Sequence, residues 1–196
     1  LGKCKKFSIP EDLTSIGEYS FEYCDMFPLT SLPDTIINIG KYAFRECSKL
    51  HLSNLPKNLT KINDCTFGTC TELALESLPD GITSIGKYGF YNCPNLALES
   101  LPEGITSIGT YGFYNCAKMT IKSIPNNVTI IDEYAFQKCA SITEMTCLGN
   151  ITTIKSNAFN QCSTLSKFML PNITSVPTLS TKSAFTETPI ASGTGY

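Results

Sequence analysis

The chain has 196 residues, with 15 Lys+Arg against 17 Asp+Glu and a formal net charge of −2. That balance excludes the basic stripe by which proteins hold nucleic acid, and Lys3, Lys5 and Lys6 form a cluster too short to be more than a solvated end. Apolar runs are only a few residues long, far short of a spanning helix, so no membrane insertion of this segment is expected.

No charged-then-apolar leader opens the sequence, a point of little weight because a mature secreted chain would lack one too. Length alone allows one or two domains, but the pattern overrides length. Phe recurs at 21, 44, 67, 90, 113, 136 and 159, and Cys at 24, 47, 70, 93, 116, 139 and 162, always 23 apart. The unit is clearest in Ser77–Glu99, which the next 23 residues repeat with 15 identical positions. A fixed period of this size is the signature of a leucine-rich-repeat solenoid. The expected fold is an α/β stack of 23-residue coils, with short strands and single helical turns. One domain is expected over 1–196: a partial coil at 1–10, seven repeats over 11–170, and a degenerate last coil and tail over 171–196.

Residues 1–10 read as the tail of an earlier coil, with Ile9 and Pro10 standing 23 before Leu32 and Pro33. Solenoid ends need polar caps, so the array is expected to have run further or to have lost a cap. In each full coil Leu-Pro (32–33, 55–56, 78–79, 101–102), or Ile124-Pro125, ends a first short strand, because Pro donates nothing to a ladder. A turn follows, at Lys57-Asn58, Asp80-Gly81, Glu103-Gly104 or Asn126-Asn127. The next strand reads LTSI at 13–16, ITSI in the central coils and VTII at 128–131. Ile82, Ile85, Ile105 and Ile108 should face inward, and Thr83, Thr106, Thr129 and Thr152 should form an outer column. The segment KYGFYNC and its relatives is expected to make one helical turn, with Phe and Cys both inward. The small residue before each Phe (Ala43, Gly89, Gly112, Ala135, Ala158) leaves room for close backbone packing. Leu50, Leu73, Leu96, Met119 and Ile142 then lead into the following strand. No coil offsets its own ordering entropy; stacking closes the core.

Two departures are visible. The strand after the Cys reads L-x-L-x-x-L-P centrally, but its apolar residue comes one place later at Phe7, Met145 and Phe168. A shift of the inward face and a bend are expected near 144–148, where Leu148-Gly149 replaces the usual Leu-Pro. After Pro171 the register loosens, with Phe185 lying 26 after Phe159, and fraying is expected beyond about Pro189.

Seven of the ten cysteines share one repeat position. Neighbouring strands stand about 4.8 Å apart, within disulfide range. Parallel side chains and an odd number nevertheless favour a buried, reduced thiol column, free Cys behaving as a small hydrophobe. Cys4, Cys65 and Cys147 lie off the column, and cysteine usage leaves the compartment open.

Candidate chemistry is sparse. His51 is the only histidine. Its neighbour Cys47 is read as a rung of the core and His51 as an exposed strand residue, not as a catalytic pair. C-x-x-C is absent and Cys65–Cys70 is isolated, so no metal site or cofactor is expected. Glu76 and Glu99, with Lys122 at the same position one coil on, read as a solvated column. Asn58, Asn127, Asn150 and Asn172 open N-x-T sequons, which the repeat explains by placing Asn at a turn and Thr in the next strand. One surface feature remains. Tyr19, Tyr42, Tyr88, Tyr111 and Tyr134 occupy one repeat position, interrupted by Cys65 and Asn157, and Tyr23, Tyr91 and Tyr114 stand nearby. They form either a strip that grips a ligand or a cover over the Phe column. Tyr88 and Tyr111 are expected to keep exposed ring area.

The pattern I/L-P-x-x-I/V-T-x-I-G-x-Y-A/G-F-x-x-C-x-x-L closely resembles the BspA-like class of leucine-rich repeats, over residues 1–170. The resemblance implies a right-handed solenoid with parallel strands on one face and helical or irregular turns opposite. Members are typically surface or secreted proteins of bacteria and some protists, implicated in adhesion, including binding of matrix proteins such as fibronectin and fibrinogen. It therefore implies a non-enzymatic extracellular or cell-surface protein that binds a protein ligand or glycan, with no catalytic residues to carry over. The central LALESLP strands depart from the family pattern and loosen any carry-over of its binding face. The closing TPIASGTGY looks like the approach to a terminal segment that relatives continue. A reading from another class is a structural spacer or virion-decoration module that carries other domains.

Overall fold

The computed structural model describes residues 9–25, 29–172, 174, 177–179 and 182–192. Its backbone is a stack of coils tied by parallel strands. One strand per coil comes from the I-T-S-I segment: β1 (Ser15–Ile16), β2 (Asn38–Ile39), β3 (Lys61–Ile62), β4 (Ser84–Ile85) and β5 (Ser107–Ile108). Further along are β6 (Ser123–Ile124), β7 (Ile130–Ile131), β8 (Glu144–Cys147), β9 (Thr153–Ile154), β10 (Lys167–Met169) and β11 (Thr178–Leu179). The sheets run β1-β2, β3-β4-β5, β7-β9-β11 and β6-β8-β10. Register follows the period: Ile62 pairs with Ile85, and Ile85 with Ile108. The second residue of β1–β5, β7 and β9 is a buried Ile, while Ile130 of β7 and the Thr column (Thr83, Thr106, Thr129, Thr152) are exposed. Thr83 and Thr106 hydroxyls donate to the carbonyls of Thr60 and Thr83 one coil back, at 3.0 and 3.1 Å.

Glycine enters at a point of contact between coils. A Cβ on Gly40 would stand 2.5 Å from the Glu18 nitrogen, and one on Gly86 2.7 Å from the Asn63 carbonyl carbon. By contrast, a Cβ on Gly104 would meet nothing closer than 3.6 Å. Gly40→Ala is therefore expected to cost about 1–3 kcal/mol through backbone displacement, with Gly104→Ala close to neutral. Thermal melts of the two variants check this; equal melting temperatures would contradict it.

The core is a ladder of rings. Phe44, Phe67, Phe90, Phe113, Phe136 and Phe159 are each at most 1% exposed. Phe90 and Phe113 are direct neighbours, their centroids 5.6 Å apart and their planes 5° from parallel. Beside it runs the cysteine column. Each thiol donates to the carbonyl of the Phe one coil back: Cys70 to Phe44 at 3.0 Å, Cys93 to Phe67 at 3.0 Å and Cys116 to Phe90 at 3.2 Å. The thiol is thus a donor as well as a filler, which explains Cys where a valine would fill similar space. Cys47, Cys70, Cys93, Cys116, Cys139 and Cys162 are free. Cys24 is the exception to the expected reduced column: it is disulfide-bonded.

Three local expectations are corrected. The KYGFYNC segment is not a helical turn. Tyr88 and Asn92 have φ of 57° and 55°, the left-handed region, and the same two positions are left-handed in all seven coils. A helix spends its N–H groups four residues back. Here Tyr88, Phe90 and Asn92 donate instead to Thr110, Gly112 and Tyr114 of the next coil, at 3.0, 2.9 and 2.7 Å. Gly89 and Tyr91 meanwhile close tight turns onto Gly86 and Tyr88. Among the described residues helix is confined to two 3₁₀ turns, Lys182–Phe185 and Pro189–Ser192. Second, the first strand of the central coils is largely absent, since residues 73–78 and 96–101 form no strand. Leu96, Leu98 and Leu101 are buried, and a spacing of two then three breaks strand alternation. Third, register places Cys147-Leu148, not Leu148-Gly149, at the Leu-Pro position, because Ile124 pairs with Cys147.

The expected change of inward face is visible around β8. Ile121 is buried and Lys122 exposed, but one coil later Glu144 is half-buried and Met145 buried. With Met145 and Cys147 alternating inward, β8 becomes a regular four-residue strand. The last coil absorbs extra residues without losing the ladder. Thr178 pairs with Thr153, and Phe185 stacks on Phe159 at 5.4 Å and 7°. Fraying was expected beyond about Pro189, yet Pro189–Ser192 forms the second 3₁₀ turn; residues 193–196 lie outside the described residues, as does Phe7.

Candidate binding face: the tyrosine ladder

The left-handed turn sets the tyrosines in place. Tyr19, Tyr42, Tyr88, Tyr111 and Tyr134 all have φ of 57–58°, an uncommon conformation for a bulky residue. Held in this way, their rings stack along the array outside the Phe ladder. Tyr19 and Tyr42 are 4.8 Å apart, Tyr88 and Tyr111 4.9 Å, and Tyr111 and Tyr134 4.4 Å, all within 10° of parallel. Tyr91 and Tyr114 form a second rank, stacked at 4.8 Å and set edge-on to the first: Tyr88 meets Tyr91 at 67°, and Tyr111 meets Tyr114 at 65°. Exposure is 53% at Tyr19, 41% at Tyr23 and 37% at Tyr88. Tyr42, Tyr91, Tyr111, Tyr114 and Tyr134 are half-buried.

Cations frame the two ends. The Arg45 guanidinium lies 5.4 Å from the Tyr23 centroid and 5.9 Å from that of Tyr42, and it pairs with Glu22 and Glu46 at 3.1 and 2.9 Å. Lys138 lies 5.3 Å from the Tyr114 ring, and its hydrogen bond to that phenol raises its pKa. Burial, followed by the crowding of Tyr134 and Tyr88, pushes the Tyr111 phenol up to about 12. The face presents hydroxyls on mutually stacked rings.

The ladder has one internal gap, Asn157 falling at its end. At the third coil Cys65 stands in the tyrosine position and Gly68 in that of Tyr91, leaving a notch of about 340 Å³ lined also by Tyr42, Arg45 and Tyr88. The sequence showed the interruption but gave no sign that it is open. A hollow of about 390 Å³ lies elsewhere, at the corner formed by Leu78, Pro79 and Gly81, and no aromatic ring lines it.

The other singled-out residues do not converge on this face. The Cys47 thiol donates to the Phe21 carbonyl at 2.9 Å, and burial pushes its pKa up to about 12. His51 is exposed and pairs with Glu72 at 2.9 Å. Neither is available to the other as a nucleophile and base. Glu76, Glu99 and Lys122 are exposed. Among the described residues no group of three or more His, Cys, Asp or Glu side chains is placed to hold a metal ion. The sequon asparagines build turns: Asn58 donates to the Asp34 carbonyl at 3.0 Å and Asn172 to that of Leu148 at 2.7 Å, each one coil back.

Parallel two-residue strands, a 23-residue register and a stacked aromatic core define a leucine-rich-repeat solenoid. A model of the BspA-type leucine-rich repeat region, six copies, matches residues 2–96 and 75–190, and the chain belongs to that family. Among solved structures it is similar to a leucine-rich repeat protein from Bacteroides ovatus, at 29% identity and a TM-score of 0.72, over 81% of this chain and 41% of that one. It is also similar to the leucine-rich repeat protein of T. pallidum, at 27% identity and a TM-score of 0.69, over 78% and 72% of the two chains. A leucine rich cell surface protein from Faecalibacterium prausnitzii shares the fold, at 22% identity and a TM-score of 0.58, over 80% and 59%. The chain spans less than half the length of the Bacteroides ovatus protein. No curated protein matches it significantly. Among the described residues no helix is long and apolar enough to cross a membrane. Solenoids of this class serve generally as scaffolds for contact with other proteins.

Proposed function

We propose that the chain is a non-enzymatic, extracellular or cell-surface binding module whose tyrosine face holds a protein ligand. The observation that supports this best is the preorganised outer ladder. Tyrosines are enriched at interfaces, and rings already stacked lose little conformational freedom on binding. Repeated at one coil spacing, they give many weak contacts at once, so affinity comes from number. Family membership and the surface location named for the Faecalibacterium relative lean the same way.

Purified fibronectin and fibrinogen, representing matrix proteins, are the probes, with a glycan array alongside. Capture of a matrix protein is expected. The double variant Tyr88→Ala with Tyr111→Ala should weaken it by about 10–100-fold, the loss that one or two interface anchors carry. A spacer that carries other domains would bind neither probe. Equal capture by wild type and double variant would reject the tyrosine face.

A further inference from the structure

The geometry points to the vacant rung at Cys65 as a slot for one aromatic side chain of the protein ligand, an inference that rests on the binding-face reading above. The ladder sets the dimensions. Its outer rings repeat at 4.4–4.9 Å, the spacing of neighbouring strands. Two such steps would set Tyr42 and Tyr88 about 9.5 Å apart, with the Tyr42 side chain hydrogen-bonded to Cys65 at the floor between them. A flat ring placed midway would lie about 4.7 Å from each wall, within the range that aromatic pairs prefer.

The slot is built to be empty in this chain alone. Cys65 shares the left-handed conformation of the tyrosines, with φ of 52°. A tyrosine would therefore fit that backbone, yet the residue there is small. Gly68 removes the second-rank side chain at the same level, and a Cβ there would still have 3.5 Å of clearance from the Tyr88 carbonyl oxygen. Both missing groups open one continuous notch of about 340 Å³, enough for a six-membered ring with its substituent. On one side Arg45, which lies over Tyr42 and Tyr23, closes the flank of the notch. On the other side Tyr91 stands edge-on to Tyr88. Flat walls on two faces select a planar π-system over a branched aliphatic side chain of similar volume.

Cys65 also reports on the slot. It is the one free cysteine among the described residues that is not buried, so a ring in the notch shields its thiol. The test is alkylation of the full chain by iodoacetamide at pH 8.5, followed by intact mass, in the presence of N-acetyl-L-tyrosinamide, N-acetyl-L-leucinamide or methyl glucoside. The tyrosine probe is expected to bind with a dissociation constant on the order of 1 mM, the range open to so small a ligand. At 10 mM it should then slow Cys65 alkylation about tenfold, with the other two probes without effect. Equal slowing by the leucine probe overturns the proposal, and protection by the glucoside alone replaces the aromatic side chain with a sugar. Cys65→Tyr fills the rung from within. It should abolish saturation transfer to the tyrosine probe and weaken capture of the matrix protein about tenfold. If Cys65→Tyr captures like wild type while the Tyr88→Ala, Tyr111→Ala double variant does not, the slot fails and the binding face stands. If all three capture equally, the face fails too.

Discussion

Raising the pH from 8 to 10 is expected to unfold this protein, through thiols that never meet solvent in the folded state. Seven free cysteines are buried: Cys47, Cys70, Cys93, Cys116, Cys139, Cys147 and Cys162. Burial pushes Cys47, Cys93, Cys147 and Cys162 up to about 12 from an ordinary 9.0, and holds Cys70, Cys116 and Cys139 well above it. The sign follows from which state keeps the proton. Below pH 9 both states hold it and the fold has its full stability. Above pH 9 the unfolded chain releases protons that the folded chain retains, so stability falls until the pH passes the folded value near 12. At pH 10 each of the four thiols raised to about 12 weakens the fold by about 1.4 kcal/mol, about 6 kcal/mol together, and Cys70, Cys116 and Cys139 act in the same direction. The four alone reach the range of an ordinary domain's whole stability, about 5–15 kcal/mol. Tyr111, also raised, acts in the same sense. Thermal melts under reducing conditions, followed by circular dichroism from pH 8 to 11, read this directly. Cys93→Ala should flatten the decline by one proton. A melting temperature unchanged between pH 8 and 10 would refute the account.

Phe90→Ala is the single substitution with the largest expected cost, about 3–5 kcal/mol. Phe90 is fully buried and stacks on Phe67 at 5.4 Å and on Phe113 at 5.6 Å. Stability in a solenoid is a sum over neighbouring coils, so a hole in a central rung weakens the interfaces on both sides. Tyr134→Ala removes a ring of similar size from the outer ladder, where it stacks on Tyr111. Its expected cost is about 0.5–1.5 kcal/mol, the worth of one aromatic pair. Denaturant melts of the two variants give the contrast, and amide exchange at Phe67 and Gly112 should quicken only in Phe90→Ala. Similar losses from both would mean that the inner and outer ladders share the load.

The inner ladder was legible in the sequence because a solenoid turns period into position. Residues 23 apart become neighbours, so the Phe, Cys and Thr columns could be read without knowing any dihedral angle. The backbone between the columns could not. Seven turns each place a residue such as Tyr88 or Cys65 in the left-handed region, against its own preference, and the inter-coil hydrogen bonds of Tyr88, Phe90 and Asn92 hold it there. The available clue lay four residues further on, where Asn92 and Asn115 tolerate positive φ. The notch escaped for a similar reason. Cys65 and Gly68 were visible as exceptions, but whether an exception leaves a void or a repacked wall depends on the side chains above and below. Cys24 shows the limit of treating columns as uniform, since one rung is oxidised while its neighbour Cys47 donates a hydrogen to Phe21.

The hydrogen-bond ladder of the turn face runs one way. Tyr19, Tyr42, Tyr88, Tyr111 and Tyr134 each give their N–H to the coil that follows, so the two ends of the array are chemically unlike. An advancing end always offers donors and a trailing end acceptors. Phe159 and Gln161 find their acceptors in Ala184 and Thr186, at 2.8 and 2.9 Å, although the spacing there is no longer regular. Polarity of this kind lets such a rod grow or shrink by whole coils at any interior seam, because each new coil meets the same complementary edge, while a closing segment is free to be irregular provided it supplies carbonyls.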